Sequence, residues 1–571
     1  MRSRHTRILV FALGALALLG FVALRLTALR RVAFNWDELV LFESITQTAR
    51  DGIFRSHGRP GLTQLVLAPL VAACQDEIAT GRAARNLWLG VTWLYLAGIA
   101  ALLAEVLRGS ARRAHDIALG VALLGLLPVF LEWSLQVRTD QLALAGGAWG
   151  GVALLASQRR PSLALAAGAA LAIGWLSSQK LAYVGALVGV LAIVRLVETG
   201  WQPRRELARA AFVGAGASSV WLAFRTLLSS RYEVMPGHPA RDVLPAPLLR
   251  AQLDAFDFYR GTIGWSQYVD ILPTLVPHFA LLAALVAVSV LSLRRGAREP
   301  RLLAAWLVLA TGLAVGVFHA GAFSYFWMTL GLFPAVALAL AAEPIRRELF
   351  AGRPLQLRVA AALLWGVVAI QGSVALVRQL EDTQAVQRES IEFVHRNFGG
   401  GQMGFHPEAG LFCEPTSPLG SWLSFAIYRQ FGTERREESV DSFERTFRKV
   451  PIRYLVESFR LGQFPPELRE FWAANYQPYR ASVYIAGRRL RGARGAEESF
   501  ELIVPGAYRW IPVGVPAAIR VGDRVLQPGE VTDFEAGPHI ARFEQDVPDG
   551  ALVLAVNEPP RDAPRAFYKA Y

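Results

Sequence analysis

The run RRPSLALAAGAALAIGWLSSQKLAYVGALVGVLAIVRLVETGWQPRR, residues 159–205, reads as two apolar helices at about 162–178 and 181–197 joined by a very short hairpin. Each run approaches the length that carries a helix across about 30 Å of hydrocarbon. Arginine pairs flank the unit on both sides, Arg159 with Arg160 and Arg204 with Arg205, while the hairpin holds a single cation, Lys180. Clustered arginines mark cytoplasmic loops, so this hairpin faces outward and its lysine breaks the rule.

The same alternation extends along the chain. Apolar runs at about 8–24, 84–107, 114–131, 141–157, 162–178, 181–197, 207–229, 272–293, 302–319, 324–342 and 359–377 predict about eleven spans. Arg108, Arg112 and Arg113 occupy one internal loop. Arg294, Arg295, Arg298 and Arg301 occupy another, and Arg346, Arg347, Arg353 and Arg358 a third. With Arg2, Arg4 and Arg7 ahead of the first run, the N-terminus is expected inside and everything after residue 377 outside. The first run is long for a signal-peptide core and lacks a small-residue cleavage site, so an uncleaved anchor is expected. The stretch 61–75 is short and bracketed by polar residues; it is expected to lie in the interface or re-enter.

Composition agrees. Of 571 residues, 53% are hydrophobic and only 18% charged, unlike a soluble chain of this size. Much of the net charge of +13 is the topology signal itself. No basic–aromatic RNA-binding pattern accompanies it, so no nucleic-acid partner is expected. Cys74 and Cys413 alone are too few for a disulfide framework or a cysteine metal site.

The unusual polar residues fall on the expected outer face. The first external segment contains Trp36-Asp37-Glu38, followed by Leu39, Phe42, Ile45 and Ala49 at helical spacing, which suggests an amphipathic interfacial helix ending at Gly52. Asp37 could serve as its N-cap, with Glu38 complementing the dipole; a cap and a catalytic carboxylate are compatible roles. The second external hairpin brings Glu132, Arg138 and Asp140, where a salt bridge is the ordinary reading. The third brings Lys180, the only lysine before Lys449. It reads as a snorkelling cation or, better, as a phosphate partner. His319 and Tyr325 edge a later external turn, where aromatics are expected as an interfacial belt. The span centres look free of ionisable residues, whereas an ion-coupled transporter keeps such groups near the midplane.

In order and sidedness these features resemble the multi-spanning GT-C glycosyltransferases, the group that includes protein O-mannosyltransferases and aminoarabinose transferases. The matching stretches are WDE at Trp36–Glu38, GRPGL at Gly58–Leu62, RAARNLWLG, RTDQLAL at Arg138–Leu144, the hairpin at Lys180, and FSYFWMTLGLFPAVALALA. GRPGL is a loose match to the family's Pro-containing helix start, and the C-terminal region matches nothing named. The resemblance covers most of residues 1–345 and implies a membrane all-α bundle. It also implies transfer of a sugar from a polyprenyl-phosphate donor to a lipid, glycan or protein acceptor at the outer face of a bacterial inner membrane. On that reading Asp37 is the base. Glu38 and Asp140 position the acceptor or a cation. Arg59, Arg138 and Lys180 hold the phosphate, with His319 and Tyr325 lining the site. Single displacement inverts the anomeric centre. Mg2+ or Mn2+ suits such carboxylates, though no ligand spacing demands a metal. The competing reading is a lipid-linked-saccharide transporter or a non-catalytic assembly protein.

Past residue 377 the pattern changes. Residues 378–490 mix amphipathic helices with short strands and suggest an extracytoplasmic α/β domain. Residues 491–571 suggest a small β-sandwich, with hairpins at the VGD and PDG turns. The membrane domain is then 1–377. Tyr508 and Trp510 could stack on a sugar but read better as strand-packing aromatics. His406, Glu408 and Cys413 resemble a metal cluster only superficially.

Overall fold

The computed structural model describes residues 19–55, 61–108, 110, 112–200, 202–234, 269, 271–296, 299–319, 324–399, 403–408, 410–413, 419–422, 424–432, 436–561 and 565–568. The chain divides into two compact units. One gathers Met1–Val32, Ser44–Ala73 and Thr80–Glu381; the other gathers Ala33–Glu43, Cys74–Ala79 and Asp382–Tyr571.

The first unit is helical. Its helices are α1 (Leu19–Leu29), part of α2 (Trp36–Asp51), α3 (Leu62–Val71), most of α4 (Glu77–Val106), α5 (Arg113–Gly125), α6 (Pro128–Trp133), α7 (Thr139–Ala156), α8 (Leu163–Ser177), α9 (Leu181–Thr199) and α10 (Pro203–Arg231). They continue as α11 (Val276–Arg294), α12 (Pro300–Phe318), α13 (Leu332–Leu349) and α14 (Pro354–Arg378). Among the described residues seven helices are long and apolar enough to cross a membrane. The chain is a multi-pass membrane protein. Each expected span coincides with helix where it is described; residues 8–18 of the first lie outside the described residues.

One expectation changes in detail, and the short stretch at 61–75 keeps to its own. The run 114–131 is not one helix: α5 stops at Gly125, and Pro128 opens α6 as its first residue, because proline cannot donate to a continuing helix. α3 has 10 residues, about 15 Å of helix, too short to span.

Packing explains the order of helices. In the stretch Ser324–Leu349, 78% of the most apolar window is buried, against 44% or less in the other six candidate spans, so α13 forms the centre, touching α5, α11 and α12. α7 packs on α8 and α9, and α8 on α10. The α8–α10 approach requires glycine: a Cβ on Gly168 would collide with the Val213 backbone, and one on Gly216 with the Leu165 carbonyl. Small residues let helix backbones approach this closely in lipid.

The second unit combines helices with two sheets. Its later helices are α15 (Ala385–Phe398), α16 (Ser424–Phe431), α17 (Arg436–Lys449) and α18 (Pro466–Asn475). The strands are β1 (Gly404–Phe405), β2 (Tyr454–Val456), β3 (Tyr476–Arg480), β4 (Val483–Gly492), β5 (Glu497–Leu502), β6 (Gly506–Pro512), β7 (Ile519–Val521), β8 (Arg524–Leu526), β9 (Val531–Phe534), β10 (Gly537–Phe543) and β11 (Val547–Leu554). A seven-stranded sheet runs β1-β2-β4-β11-β6-β9, with β3 also paired to β4; a four-stranded sheet runs β5-β10-β7-β8. Strand β4 pairs with β2, β3 and β11, so the larger sheet continues across residue 490. The VGD turn joins β7 to β8 as expected. PDG does not make a hairpin: Pro548 and Asp549 form an irregularity inside β11, where proline has no N–H for the ladder.

Tyr508 and Trp510 are buried in this sheet. Their polar atoms donate to backbone carbonyls, Tyr508 Oη to Val504 at 2.6 Å and Trp510 Nε1 to Ala517 at 2.6 Å. Neither ring is offered to a ligand. Cys74 and Cys413, too few for a disulfide framework, form a single disulfide within this unit, so Cys413 is no thiol ligand. Buried Glu77 braces it, accepting from the Cys413 N–H at 3.1 Å and bonding His395 Nε2 at 2.7 Å.

Candidate active site

Two constellations carry the candidate residues, one in each unit. In the membrane unit, two helix starts supply the charges. Asp140 lies in the first turn of α7, whose N-cap is Arg138. Lys180 is the N-cap of α9. The Lys180 ammonium sits 2.6 Å from Asp140 Oδ2, and Ser178 Oγ donates to Asp140 Oδ1 at 2.9 Å. Arg138 Nε approaches the same Oδ2 at 3.9 Å. Both cations also face one ring: the Arg138 guanidinium lies 3.7 Å and Lys180 Nζ 4.3 Å from the Tyr325 centroid. Trp133 packs edge-on against Tyr325 at 5.6 Å.

Two cations converge on one carboxylate and one ring, and Asp140 and Arg138 are almost fully buried. A buried cation is stabilised by a carboxylate, an aromatic face or an anionic ligand. Arg138 is additionally held through its backbone, which accepts from Trp88 Nε1 at 2.8 Å and donates to Gln141 Oε1 at 3.1 Å. His319 stands one step away. It stacks on Phe326 at 3.5 Å and bonds the Tyr183 hydroxyl through Nδ1 at 3.1 Å.

In the second unit lies the Asp-Glu pair. The N-cap of α2 is Asn35, not Asp37. Asn35 Oδ1 accepts the Asp37 N–H at 2.8 Å, and Glu38 Oε2 reaches back to the Asn35 N–H at 2.8 Å. That is a capping box. Glu38 is wholly buried and committed to it, whereas Asp37 remains part-exposed at the helix start. Of the sequence candidates, Arg138, Asp140, Lys180 and Tyr325 converge, His319 is adjacent, and Asp37 and Glu38 belong to the other unit. Arg59 lies outside the described residues. Glu132 is exposed.

Sequence reasoning missed Ser178, Trp133 and Phe326. Ser178 alone had a local signal, two residues before the odd lysine; the aromatics looked like interfacial belt. Among the described residues no three His, Cys, Asp or Glu side chains gather as a metal site.

The backbone matches known folds over nearly its full length. ArnT from Cupriavidus metallidurans, solved bound to undecaprenyl phosphate, superposes with a TM-score of 0.51 at 15% identity, covering 81% of this chain and 94% of that one. The apo oligosaccharyltransferase of Archaeoglobus fulgidus superposes with a TM-score of 0.50 at 11% identity, covering 96% and 97%. The fold is GT-C-like. No family model matches the sequence, and no curated protein does. The GT-C-like fold therefore rests on geometry, with the expected arrangement of a multi-span helical unit followed by a β-rich region.

Proposed function

We propose that this chain is a glycosyltransferase that moves a sugar from a polyprenyl-phosphate carrier to an acceptor hydroxyl at the outer membrane face. The observation that carries the reading is the convergence of Lys180 and Arg138 on Asp140 and Tyr325 at the starts of α7 and α9. The ArnT structure that shares this fold holds undecaprenyl phosphate, the chemistry such cations would bind.

In this reaction the acceptor oxygen attacks the anomeric carbon and the bond from that carbon to the phosphate oxygen breaks. The electron pair leaves on the phosphate, where Lys180 and Arg138 offset the new charge. The acceptor proton goes to Asp37. One displacement inverts the centre. Asp140 keeps the two cations together. The outer location is supported by the alternating arginines and by the disulfide, since such bonds persist in oxidising compartments. The membrane domain is 1–377, followed by extracytoplasmic residues 378–571, in which β4 crosses position 490 and joins the two expected domains through one sheet.

The test uses purified protein in nanodiscs with a panel of undecaprenyl-phosphate hexoses, pentoses and aminopentoses, scored by release of undecaprenyl phosphate. Turnover that is lost in both Lys180→Ala and Asp37→Asn supports the proposal. Normal turnover in a folded Asp37→Asn protein sinks the base assignment. Movement of intact lipid-linked sugar across the bilayer without cleavage would favour the transporter instead.

A further inference from the structure

Residues 33–36 are tied, one after another, to the C-terminal part of the second unit. The Ala33 N–H donates to Thr383 Oγ1 at 2.9 Å. Phe34 donates its N–H to Gln387 Oε1 at 2.7 Å and accepts from Gln387 Nε2 at 2.9 Å through its own carbonyl. Asn35 Nδ2 donates to the Tyr568 hydroxyl at 2.9 Å. The Arg460 guanidinium covers the Trp36 ring at 5.1 Å. In the run Phe34–Glu38 every residue is buried except Asp37.

The Gln387 contact is the most constraining of these. Its side-chain amide is fully buried and satisfies both backbone groups of one residue, as a neighbouring strand would. That fixes the peptide planes on both sides of Phe34. The next residue, Asn35, is the helix cap whose side chain holds the Asp37 N–H. A rotation at Phe34 would therefore be passed to the direction of the Asp37 side chain.

We propose that Gln387 is a positioning residue for the transfer reaction, through which the C-terminal domain aims the Asp37 carboxylate. This rests on the reading of Asp37 as the base. It predicts that the soluble domain is a working part of the catalytic apparatus, and that reorienting an internal amide far along the chain changes the chemical step.

The test compares Gln387→Glu with wild type on the undecaprenyl-phosphate sugar panel, alongside amide exchange of residues 34–39 and thermal unfolding. Gln387→Glu keeps an acceptor for the Phe34 N–H and loses the donor to its carbonyl. The expected result is a fall in kcat of about ten- to hundredfold, with KM for the lipid donor within about threefold. The acid limb of the pH profile shifts, and exchange at 34–39 quickens at an unchanged melting temperature. Tyr568→Phe, which removes only the acceptor for Asn35, gives a smaller change in the same direction and serves if Gln387→Glu does not fold. Wild-type kcat and exchange in either variant overturn the proposal, as does a loss of activity that only follows a lowered melting temperature. Asp37→Asn is run in parallel: normal turnover there removes the base reading, while the exchange data still decide whether Gln387 holds the segment.

Discussion

Lys180 Nζ and Asp140 Oδ2 are 2.6 Å apart, joining the start of α9 to the first turn of α7 across 40 positions of sequence. The pair sits beside a second cation, Arg138, and over the Tyr325 ring. Asp140 thus holds two cations beside one aromatic face.

Removing either side of the pair has different consequences. Lys180→Ala should lower kcat by about a hundred- to a thousandfold, the usual cost of losing one stabiliser of developing charge. Lys180→Arg should recover part of it. Asp140→Ala leaves two cations facing each other in a buried setting and should destabilise the protein by about 3–5 kcal/mol. Turnover assays and thermal unfolding of the same preparations separate the two effects.

Tyr325 presents its ring face to both cations. Tyr325→Phe should keep near-wild-type turnover, while Tyr325→Leu should weaken donor binding by about 0.5–2 kcal/mol, read as a raised KM. Equal losses in both variants would mean that the hydroxyl matters.

The disulfide between Cys74 and Cys413 closes a sequence separation of 339 residues. Cys74→Ser together with Cys413→Ser should reduce stability by about 2–5 kcal/mol, seen as a lower Tm of the full chain. Reducing agent should lower the Tm of the wild type and leave the double variant unchanged.

The second unit should show a plateau of stability against pH. Burial pulls His406 down from 6.5 to about 3, so the unfolded chain takes a proton that the folded chain refuses, and stability falls as the pH drops below 6.5. Burial pushes Glu408 up from 4.5 to about 8, with Arg460 opposing more weakly. There the folded chain holds a proton the unfolded chain has lost, so stability falls as the pH rises from 4.5 to about 8. The two effects offset each other between 4.5 and 6.5. Glu408→Gln should flatten the alkaline limb of a plot of Tm against pH; an unchanged limb would show that another group causes it.

Much of the fold was legible because the bilayer imposes it. A run of about twenty apolar residues has few alternatives to a spanning helix. The break at Pro128 was visible as a residue but not as an interruption, since hydropathy alone does not report hydrogen-bond donors. The first carboxylate pair was half legible: WDE marked the helix start, but the cap proved to be Asn35, whose side chain accepts the Asp37 N–H while Glu38 accepts the Asn35 N–H.

The sequence by itself determined the spans, the alternation of charged loops and the list of odd polar residues, because these follow from transfer free energies and charge asymmetry along the chain. Only the tertiary structure decided which of those residues meet. Asp140 with Lys180, Cys74 with Cys413 and Phe34 with Gln387 are pairings between distant segments. Helix packing and sheet register bring them together, and neither is encoded in any local window.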